Sequence, residues 1–348
     1  MKKTALLLMF LISCIGFQSC TCNRTNNLPK KEKAVEKSAV TVEIIRFEKE
    51  FFACNPNKLD AEIPALENKY PTFSNVFFNQ VLHLQDMQDK GMQYNYLQEF
   101  LTNKYNKGLY DTVNAKLSNL DFLEKDLKIA FANYKSYFPE KPIPKVMTCI
   151  SEFQIGAFTA SDSIIGISLD MYLGAKYVYY ADIFQQYTFM IPTFDKHFMS
   201  LDCANVLASN IIPPPSDKST LLDKMLAKGK ILYMMKALLP EKKDYDVIKY
   251  TDKQWQFCVE NEVNIWTYFL NLKLLFNTSQ EQFKYVIESP TTYGMPKETP
   301  GRAGAWLGWQ IINAYMKEHP NTTLKQLIAI KDGQQLLKES KYKPSFKN

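Results

Sequence analysis

The sequence predicts an α+β fold that is mostly helical and carries a small sheet. Only 12 of the 348 residues are glycine, roughly half the average usage of about 7%, which disfavours glycine-punctuated folds such as propellers and nucleotide-binding sheets. Hydrophobic residues make up 46% of the chain and aromatic residues 14%, which is enough for a sizeable core. Charged residues, at 22%, exclude a protein built mainly of membrane-spanning helices.

The order of the elements follows from the hydrophobic periodicity. Residues 41–47 alternate apolar and polar side chains and are rich in β-branched residues, which predicts a strand. The runs 145–150 and 163–169 predict two further strands, joined as a hairpin through a polar turn. Helical patterning covers residues 59–138 in several pieces, and then residues 195–208, 220–239, 252–276, 301–316 and 324–338. No linker or repeat divides these elements, so residues 41–344 are predicted to form a single domain.

The beginning of the chain has the pattern of a bacterial lipoprotein signal. Two lysines precede an apolar run over residues 5–17, and a small residue stands directly before Cys20. We expect residues 1–19 to be removed as a signal peptide and Cys20 to carry acyl chains such as palmitate. Several chains anchor stably, because each buried methylene contributes about 0.8 kcal/mol. The alternative cleavage site, before Cys14, would shorten the apolar run.

Residues 20–40 are predicted to be the lipid anchor and a flexible tether. Residues 24–37 hold five basic and two acidic side chains, whereas the rest of the mature chain is close to neutral. A basic tether suits an anionic bilayer and needs no nucleic acid to explain it. The predicted partner is therefore the membrane, through the anchor, and not a nucleic acid.

The three histidines do not form a metal motif. His83, His197 and His319 lie far apart in the chain, and no His-x3-His pair occurs. A self-contained zinc motif needs such a pair on one helix face. We therefore expect no metal and no cofactor.

The cysteines favour buried thiols over a disulfide scaffold. Five cysteines follow the predicted anchor, an odd number with wide spacing. Isolated cysteines of this kind behave as small apolar residues. A disulfide from Cys54 to Cys149 or to Cys258 stays open at this point.

One carboxylate interrupts an apolar helix face. Glu262 lies on the same face of the predicted helix 252–276 as four large apolar side chains. A buried carboxylate needs a partner, and guanidinium is the best one. We therefore expect an arginine beside Glu262, and the chain has three, Arg24, Arg46 and Arg302. In the structural interpretation the pair is a buried ion pair. In the catalytic one Glu262 is a general base, with Asp170 or Asp202 beside it.

The segment around Arg302 has two interpretations. Thr299 can cap a helix with Pro300 at its first position, so that the amides of residues 301 and 302 attract an anion. Glycines three and four residues apart, at 301, 304 and 308, also give a smooth face on which a second helix can pack closely. Trp306 then belongs to the core or to a binding interface.

Several motifs occur in the same order as in one protein family. They are Arg46-Phe47-Glu48, Tyr137-Phe138-Pro139, the segment 169–174 (Leu-Asp-Met-Tyr-Leu-Gly), Gly229-Lys230, Asn261-Glu262 with Ile265-Trp266, the segment 300–306 (Pro-Gly-Arg-Ala-Gly-Ala-Trp) and the segment 340–344 (Ser-Lys-Tyr-Lys-Pro). Through them the chain resembles the gliding-motility-associated lipoprotein family GldB over nearly its whole mature length. The predicted lipoprotein signal agrees with this resemblance.

The family is in turn similar to predicted zinc metallopeptidases, which implies a zincin-like scaffold. Such enzymes carry His-Glu-x-x-His on a helix after a small sheet, and a third ligand on a later helix. In this chain the corresponding helix contains Asp202 and Asn205 and no histidine at a ligand position, with His197 one turn too early. Glu262 would be the remaining third ligand. The resemblance therefore implies a peptidase-like scaffold that has lost its metal.

Three functions follow from these observations. The first is a non-catalytic outer-membrane lipoprotein that faces the periplasm and supports gliding-motility, secretion or envelope machinery by binding a protein or peptide in the degenerate cleft. The second is a hydrolase with Glu262 as general base. The third is a solute-binding lipoprotein with an anion site at Arg302. We favour the first, with an envelope protein as partner.

Overall fold

The computed structural model describes residues 28–345, so the predicted signal peptide and Cys20 lie outside the described residues. The strands are β1 (Ile44–Arg46), β2 (Lys145–Cys149), β3 (Ala157–Ser161) and β4 (Ile164–Ser168). The helices are α1 (Phe47–Ala53), α2 (Leu59–Lys69), α3 (Pro71–Val76), α4 (Lys90–Thr102), α5 (Lys104–Leu117), α6 (Asp121–Tyr137), α7 (Tyr180–Ile183), α8 (Met199–Ile211), α9 (Leu221–Leu238), α10 (Asp244–Val247), α11 (Asp252–Glu260), α12 (Glu262–Asn271), α13 (Ala303–Glu318), α14 (Leu324–Ala329) and α15 (Gly333–Glu339).

Short 3-10 and π segments lie between these elements or, in one case, before β1. They are Lys37–Ala39, Phe77–Val81 (π), Leu84–Asp86, Leu169–Tyr172, Gln185–Thr193, Lys196–Phe198 and Gln280–Tyr285. The predicted α+β class, mostly helical with a small sheet, is confirmed. Within residues 28–345 no helix combines the length and the apolar character that crossing a bilayer requires.

The sheet has the strand order β1-β2-β4-β3. β1 pairs with β2 and β2 pairs with β4 in parallel, whereas β3 pairs with β4 antiparallel. The predicted hairpin between residues 145–150 and 163–169 is therefore wrong, since these two strands are parallel neighbours. Parallel neighbours need a connection that crosses back over the sheet, and β3 lies in that connection.

The sheet separates two parts of the core. Val146, Ile165 and Ile167 face a large cluster built on α6, α8, α9 and α13. Met147 and Cys149 face a smaller cluster on the other side. Aromatic rings dominate the smaller cluster, among them Phe47, Phe51, Phe73, Phe77, Phe78 and Phe100. Alternating faces of short strands thus serve two helical layers.

α9 and α13 pass each other at backbone contact. A Cβ atom placed on Gly308 would lie 2.0 Å from the carbonyl oxygen of Met225, and one on Gly229 would lie 2.4 Å from the carbonyl carbon of Gly308. Both distances are far below van der Waals contact, so this crossing requires glycine on both helices. The predicted close packing along the glycine face is confirmed at Gly308.

Residues 28–40 are attached to the body instead of extending as a free tether. Lys30 forms a parallel bridge with Thr323, and the amides of residues 32 and 33 donate to the carbonyl of Ser136. Lys325 binds Glu32 at 2.9 Å. In its described part, the segment predicted to be flexible therefore runs along the folded domain.

Two predicted helices are divided in the structure. Asn261 ends α11 with φ −105° and ψ 19°, and α12 begins at the next residue. Residues 324–338 likewise form two helices, α14 and α15. The pattern of apolar positions continues across both breaks, which is why periodicity alone predicts single helices.

The cysteines of the described chain are buried thiols. Cys54, Cys149, Cys203 and Cys258 are all free. Burial raises the pKa of the Cys54 thiol to about 11 and the pKa of the other three well above the usual value. The disulfides left open by the sequence are not formed between these residues.

Candidate functional site

A cleft lies where α8, the start of β3, the segment before α8 and the turn before α13 meet. Two adjoining pockets form it, and they share Met190, Thr193, Lys249 and Glu288. Asp202, Asn205 and Tyr172 line the first pocket, and Arg302 lines the second. The cleft thus brings together three of the residues predicted from the sequence, Asp202, Asn205 and Arg302.

Asp202 is held by two donors at one end of the cleft. Lys249 Nζ lies 2.6 Å from Asp202 Oδ1, and the Tyr172 hydroxyl donates to Oδ2 at 2.8 Å. Burial raises the pKa of Tyr172 well above its usual value, so the phenol stays a neutral donor. Gly156 makes this position possible, because a Cβ atom there would lie 2.9 Å from the Tyr172 oxygen.

Arg302 occupies the other end of the cleft. Its Nη1 lies 3.2 Å from Glu288 Oε1, its Nη2 donates to the carbonyl of Ile248, and its guanidinium lies over the ring of Tyr250. Glu288 is the more exposed partner, with 44% of its side chain accessible against 19% for Arg302. The cleft therefore contains two ion pairs, Asp202 with Lys249 at one end and Glu288 with Arg302 at the other.

Both cations of the cleft have left-handed backbone conformations. Lys249 has φ 55° and Arg302 has φ 64°. Residues other than glycine seldom adopt this region, and such positions cluster at binding and active sites. Tertiary contacts hold both residues in this conformation. Arg302 binds the carbonyl of Ile248 and the carboxylate of Glu288, and Lys249 binds Asp202.

The start of α13 differs from the prediction. Thr299 and Pro300 precede the helix and do not cap it, and α13 begins at Ala303. The hydroxyl of Thr292 accepts from the amide of Ala303 at 3.1 Å and donates to the carbonyl of Pro300. The left-handed turn at Arg302 therefore replaces the predicted threonine-proline start, and it directs the guanidinium along the cleft.

Glu262 lies apart from this cleft. It is 8% exposed and accepts a hydrogen bond from the Tyr342 hydroxyl at 2.9 Å, while Trp266 packs edge-on against the Tyr342 ring. The hydrogen-bond partner is thus a phenol, whereas the two candidate arginines of the described chain bind elsewhere: Arg302 binds Glu288 and the carbonyl of Ile248, and Arg46 binds Glu48 and the carbonyl of Ser118. The prediction that Glu262 has a polar partner in the apolar stripe is confirmed.

Trp306 belongs to the core. It is fully buried in α13, with the Trp255 ring edge-on at 6.2 Å. Of its two predicted roles, core or binding interface, the structure favours the core. A ligand in the cleft would reach Arg302 without touching this ring, since Trp306 does not line either pocket.

Asp170 is a buried structural carboxylate. It accepts from the backbone amides of Ser151 and Phe153, the latter at 2.6 Å. Burial raises its pKa to about 7. Glu152 and Phe153 both have left-handed φ, so Asp170 fixes the strained turn that follows β2.

The described residues offer no cluster of metal ligands. Among residues 28–345, no group of three or more His, Cys, Asp or Glu side chains is arranged to hold a metal ion. His197 lies at the surface, where Nε2 pairs with Asp246 at 3.1 Å. Asp202 binds Lys249 and Tyr172, and Asn205 lines the same cleft.

Sequence reasoning missed three residues of the cleft. Lys249 and Glu288 lie in connecting segments with no distinctive motif, and only the fold brings them to Asp202 and Arg302. Tyr172 falls within the segment 169–174 that supports the family resemblance, so that motif was the one available signal for it.

Comparison with known proteins places the chain in a family without supplying a close relative. No curated protein and no solved structure is significantly similar to it. A family model described as gliding motility protein GldB matches residues 29–344, nearly the whole described chain. The family name marks these proteins as lipoproteins, which indicates a membrane-anchored protein of the cell envelope. The chain therefore belongs to the GldB family of gliding motility lipoproteins.

Proposed function

We propose that this chain is an outer-membrane lipoprotein, anchored through Cys20 and facing the periplasm, whose cleft binds an extended segment of an envelope protein. In this role it supports gliding-motility or secretion machinery and carries out no reaction of its own. The observation that carries the proposal is the convergence of Asp202, Asn205 and Arg302, predicted separately, on one open cleft.

The polar groups of the cleft suit a peptide. Two ion pairs, Asp202 with Lys249 and Glu288 with Arg302, present donors and acceptors along one groove. Each charge already has a partner, so an uncharged backbone can bind without leaving a desolvated ion unpaired. Asp202 accepts at both carboxylate oxygens, which favours a positioning role over that of a free base.

The edge of the sheet lies at the same cleft. β3 is an edge strand, and its outer side pairs with no strand within residues 28–345. Gly156 and Ala157 at its start line the cleft beside Asp202. Extended peptides commonly bind by adding a strand to such an edge, with neighbouring pockets that select side chains.

The predicted anchor supports a partner in the envelope. Cys20 lies eight residues before Leu28, where the described chain begins, and eight extended residues span at most about 29 Å. Residues 28–40 run along the body, so they add no reach. A lipid-bound chain would therefore hold the cleft within a few tens of ångströms of the bilayer.

Photocrosslinking in living cells tests this proposal. A photoreactive benzoylphenylalanine at Asn205, an exposed position lining the cleft, is expected to give one discrete protein adduct after irradiation. The same residue at Glu67, exposed on α2, is the matched control and should not give it.

The nature of the adduct decides the outcome. A protease-sensitive adduct specific to Asn205, with one short partner segment identified by mass spectrometry, supports segment binding. An identical adduct at Glu67, or no protein adduct at Asn205, contradicts it. A small anion that raises the Tm of the wild type but not of Arg302→Gln, together with no protein adduct at Asn205, would favour the solute-binding alternative.

A further inference from the structure

A long excursion between β4 and α8 exposes an unusual amount of apolar surface. We call residues 175–193 the arm. Tyr180 is the one buried residue among these 19. Val178 is 72% exposed, Tyr187 54%, Tyr179 44% and Ile183 40%. Large contiguous apolar surfaces on a folded protein mark interaction sites.

The arm has a defined shape despite its exposure. Its two ends are joined, because Leu173 bridges Asp195 and the amide of Gly174 donates to the carbonyl of Phe194. The Tyr180 ring packs among other aromatic rings, and its hydroxyl donates to the carbonyl of Asp170 at 2.6 Å. The exposed side chains are thus presented by an internally packed base.

Exposed apolar side chains recur along the length of the arm. Tyr179 contacts the ring of Tyr105 on α5 at 5.2 Å. Ile183 lies one turn after Tyr179, to whose carbonyl its amide donates. Tyr187 follows on the same segment, where its ring approaches Phe189 at 6.3 Å. The apolar surface therefore begins beside α5 and recurs along the arm as far as Phe189.

The charge of the arm favours a protein over a bilayer as its occupant. Lys176 and Asp182 are its two charged residues, and they cancel. Attraction to anionic lipid requires clustered lysine or arginine, which the arm lacks. Tyrosine-rich surfaces with little charge are typical of the centres of protein interfaces.

The arm is continuous with the cleft. Phe189, Met190 and Thr193, in its second half, line the cleft beside Lys249. Tyr187 and Ile183 precede these residues in the arm. We propose that the arm is the docking surface for an uncharged, apolar stretch of the same partner protein that occupies the cleft. This inference rests on the proposed function and specifies the chemistry of the partner.

A peptide selection tests the inference on the full lipidated chain in nanodiscs. A random library of displayed 12-residue peptides is expected to yield binders rich in Leu, Phe and Tyr and poor in charged residues. Val178→Asp combined with Ile183→Asp should weaken a selected peptide at least tenfold. Leu272→Asp, at an equally apolar position that is 54% exposed on another surface, should change its affinity less than twofold.

A blocked cleft separates the two proposals. Asn205→Trp fills the mouth of the cleft without removing an ion pair. Selected peptides weakened by both the arm variant and Asn205→Trp support the inference. Peptides weakened by Asn205→Trp alone overturn the inference and leave the proposed function intact. Peptides weakened by neither overturn both.

Crosslinking identifies what covers the arm. Benzoylphenylalanine at Val178 should form an adduct with the selected peptide in the nanodisc sample. Adducts with lipid alone would assign the arm to the bilayer, and adducts of twice the chain mass would assign it to a second copy. Either of these two results overturns the inference.

Discussion

Replacement of Gly308 by alanine should destabilise the protein through the crossing of α9 and α13. The new Cβ atom would lie 2.0 Å from the carbonyl oxygen of Met225, more than 1 Å inside van der Waals contact. This neighbour is helix backbone and cannot rotate away. Overpacking of a core costs about 1–3 kcal/mol, and the rigid contact favours the upper end of that range.

The intrinsic helix preference of alanine acts in the opposite direction. Alanine is favoured over glycine in a helix interior by about 0.8–1.0 kcal/mol. The net expectation for Gly308→Ala is therefore a loss of about 2 kcal/mol in the free energy of unfolding. Gly108, exposed in α5 with nothing within 4 Å of its Cβ position, is the matched control. Gly108→Ala should stabilise by about 0.5–1 kcal/mol.

Urea unfolding measures the difference directly. Trp306 and Trp309 lie buried in α13, so tryptophan fluorescence reports on the element that is perturbed. With a denaturant slope of about 3 kcal/mol per M, Gly308→Ala should lower the midpoint by about 0.7 M, and Gly108→Ala should raise it. A Gly308→Ala protein as stable as the wild type would refute the argument from close backbone approach.

Three further predictions concern single side chains. Tyr172→Phe removes a hydrogen bond to the charged Asp202 and should cost about 1–3 kcal/mol in urea unfolding; no loss would show that this bond does not stabilise the cleft. Because the folded-state pKa of Asp170 is about 7, above its unfolded value, its contribution to stability is complete below about pH 4 and is lost as the pH rises to about 7. The stability of the wild type relative to Asp170→Asn should therefore fall over that interval, and a pH-independent difference would contradict the assignment. Cys54, Cys149, Cys203 and Cys258 should react with a thiol reagent only after unfolding, and fast labelling of any of these four in the native protein, located by peptide mapping, would disprove their burial.

The helical part of the fold is largely predictable from the sequence. α9 lies within one residue of its predicted limits at each end, and α6 ends one residue before the predicted end of the helical stretch 59–138, because their apolar faces are long and their ends carry clear signals. Pro139 follows the end of α6, and Thr220 with Asp223 forms a capping box at the start of α9. Local chemistry determines these boundaries.

The sheet topology could not be predicted in the same way. About a hundred residues separate β1 from β2, and no local pattern reveals that these strands pair in parallel. β3 contains alanine and serine and has little strand preference of its own. It becomes a strand because it pairs with β4 and packs Phe158 into the aromatic cluster.

The cleft was predictable only in part. Arg302 and Asp202 are predictable from their local settings. Arg302 lies in a glycine-rich segment at the start of a helix, and Asp202 lies on the helix that follows the sheet. Lys249 and Glu288 complete the ion pairs through tertiary contacts alone. The expectation of an arginine partner for Glu262 missed Tyr342 for the same reason, since the Tyr342 hydroxyl donates to Glu262 across 80 residues of sequence.

The central claim is that the cleft and the arm bind one partner protein. Benzoylphenylalanine at Asn205 and at Val178, in separate strains that make the full-length protein, tests it most directly. We predict that mass spectrometry identifies the same partner at both positions, with a polar segment at Asn205 and an adjacent apolar segment at Val178. Different proteins at the two positions, or a partner at neither, would contradict the account.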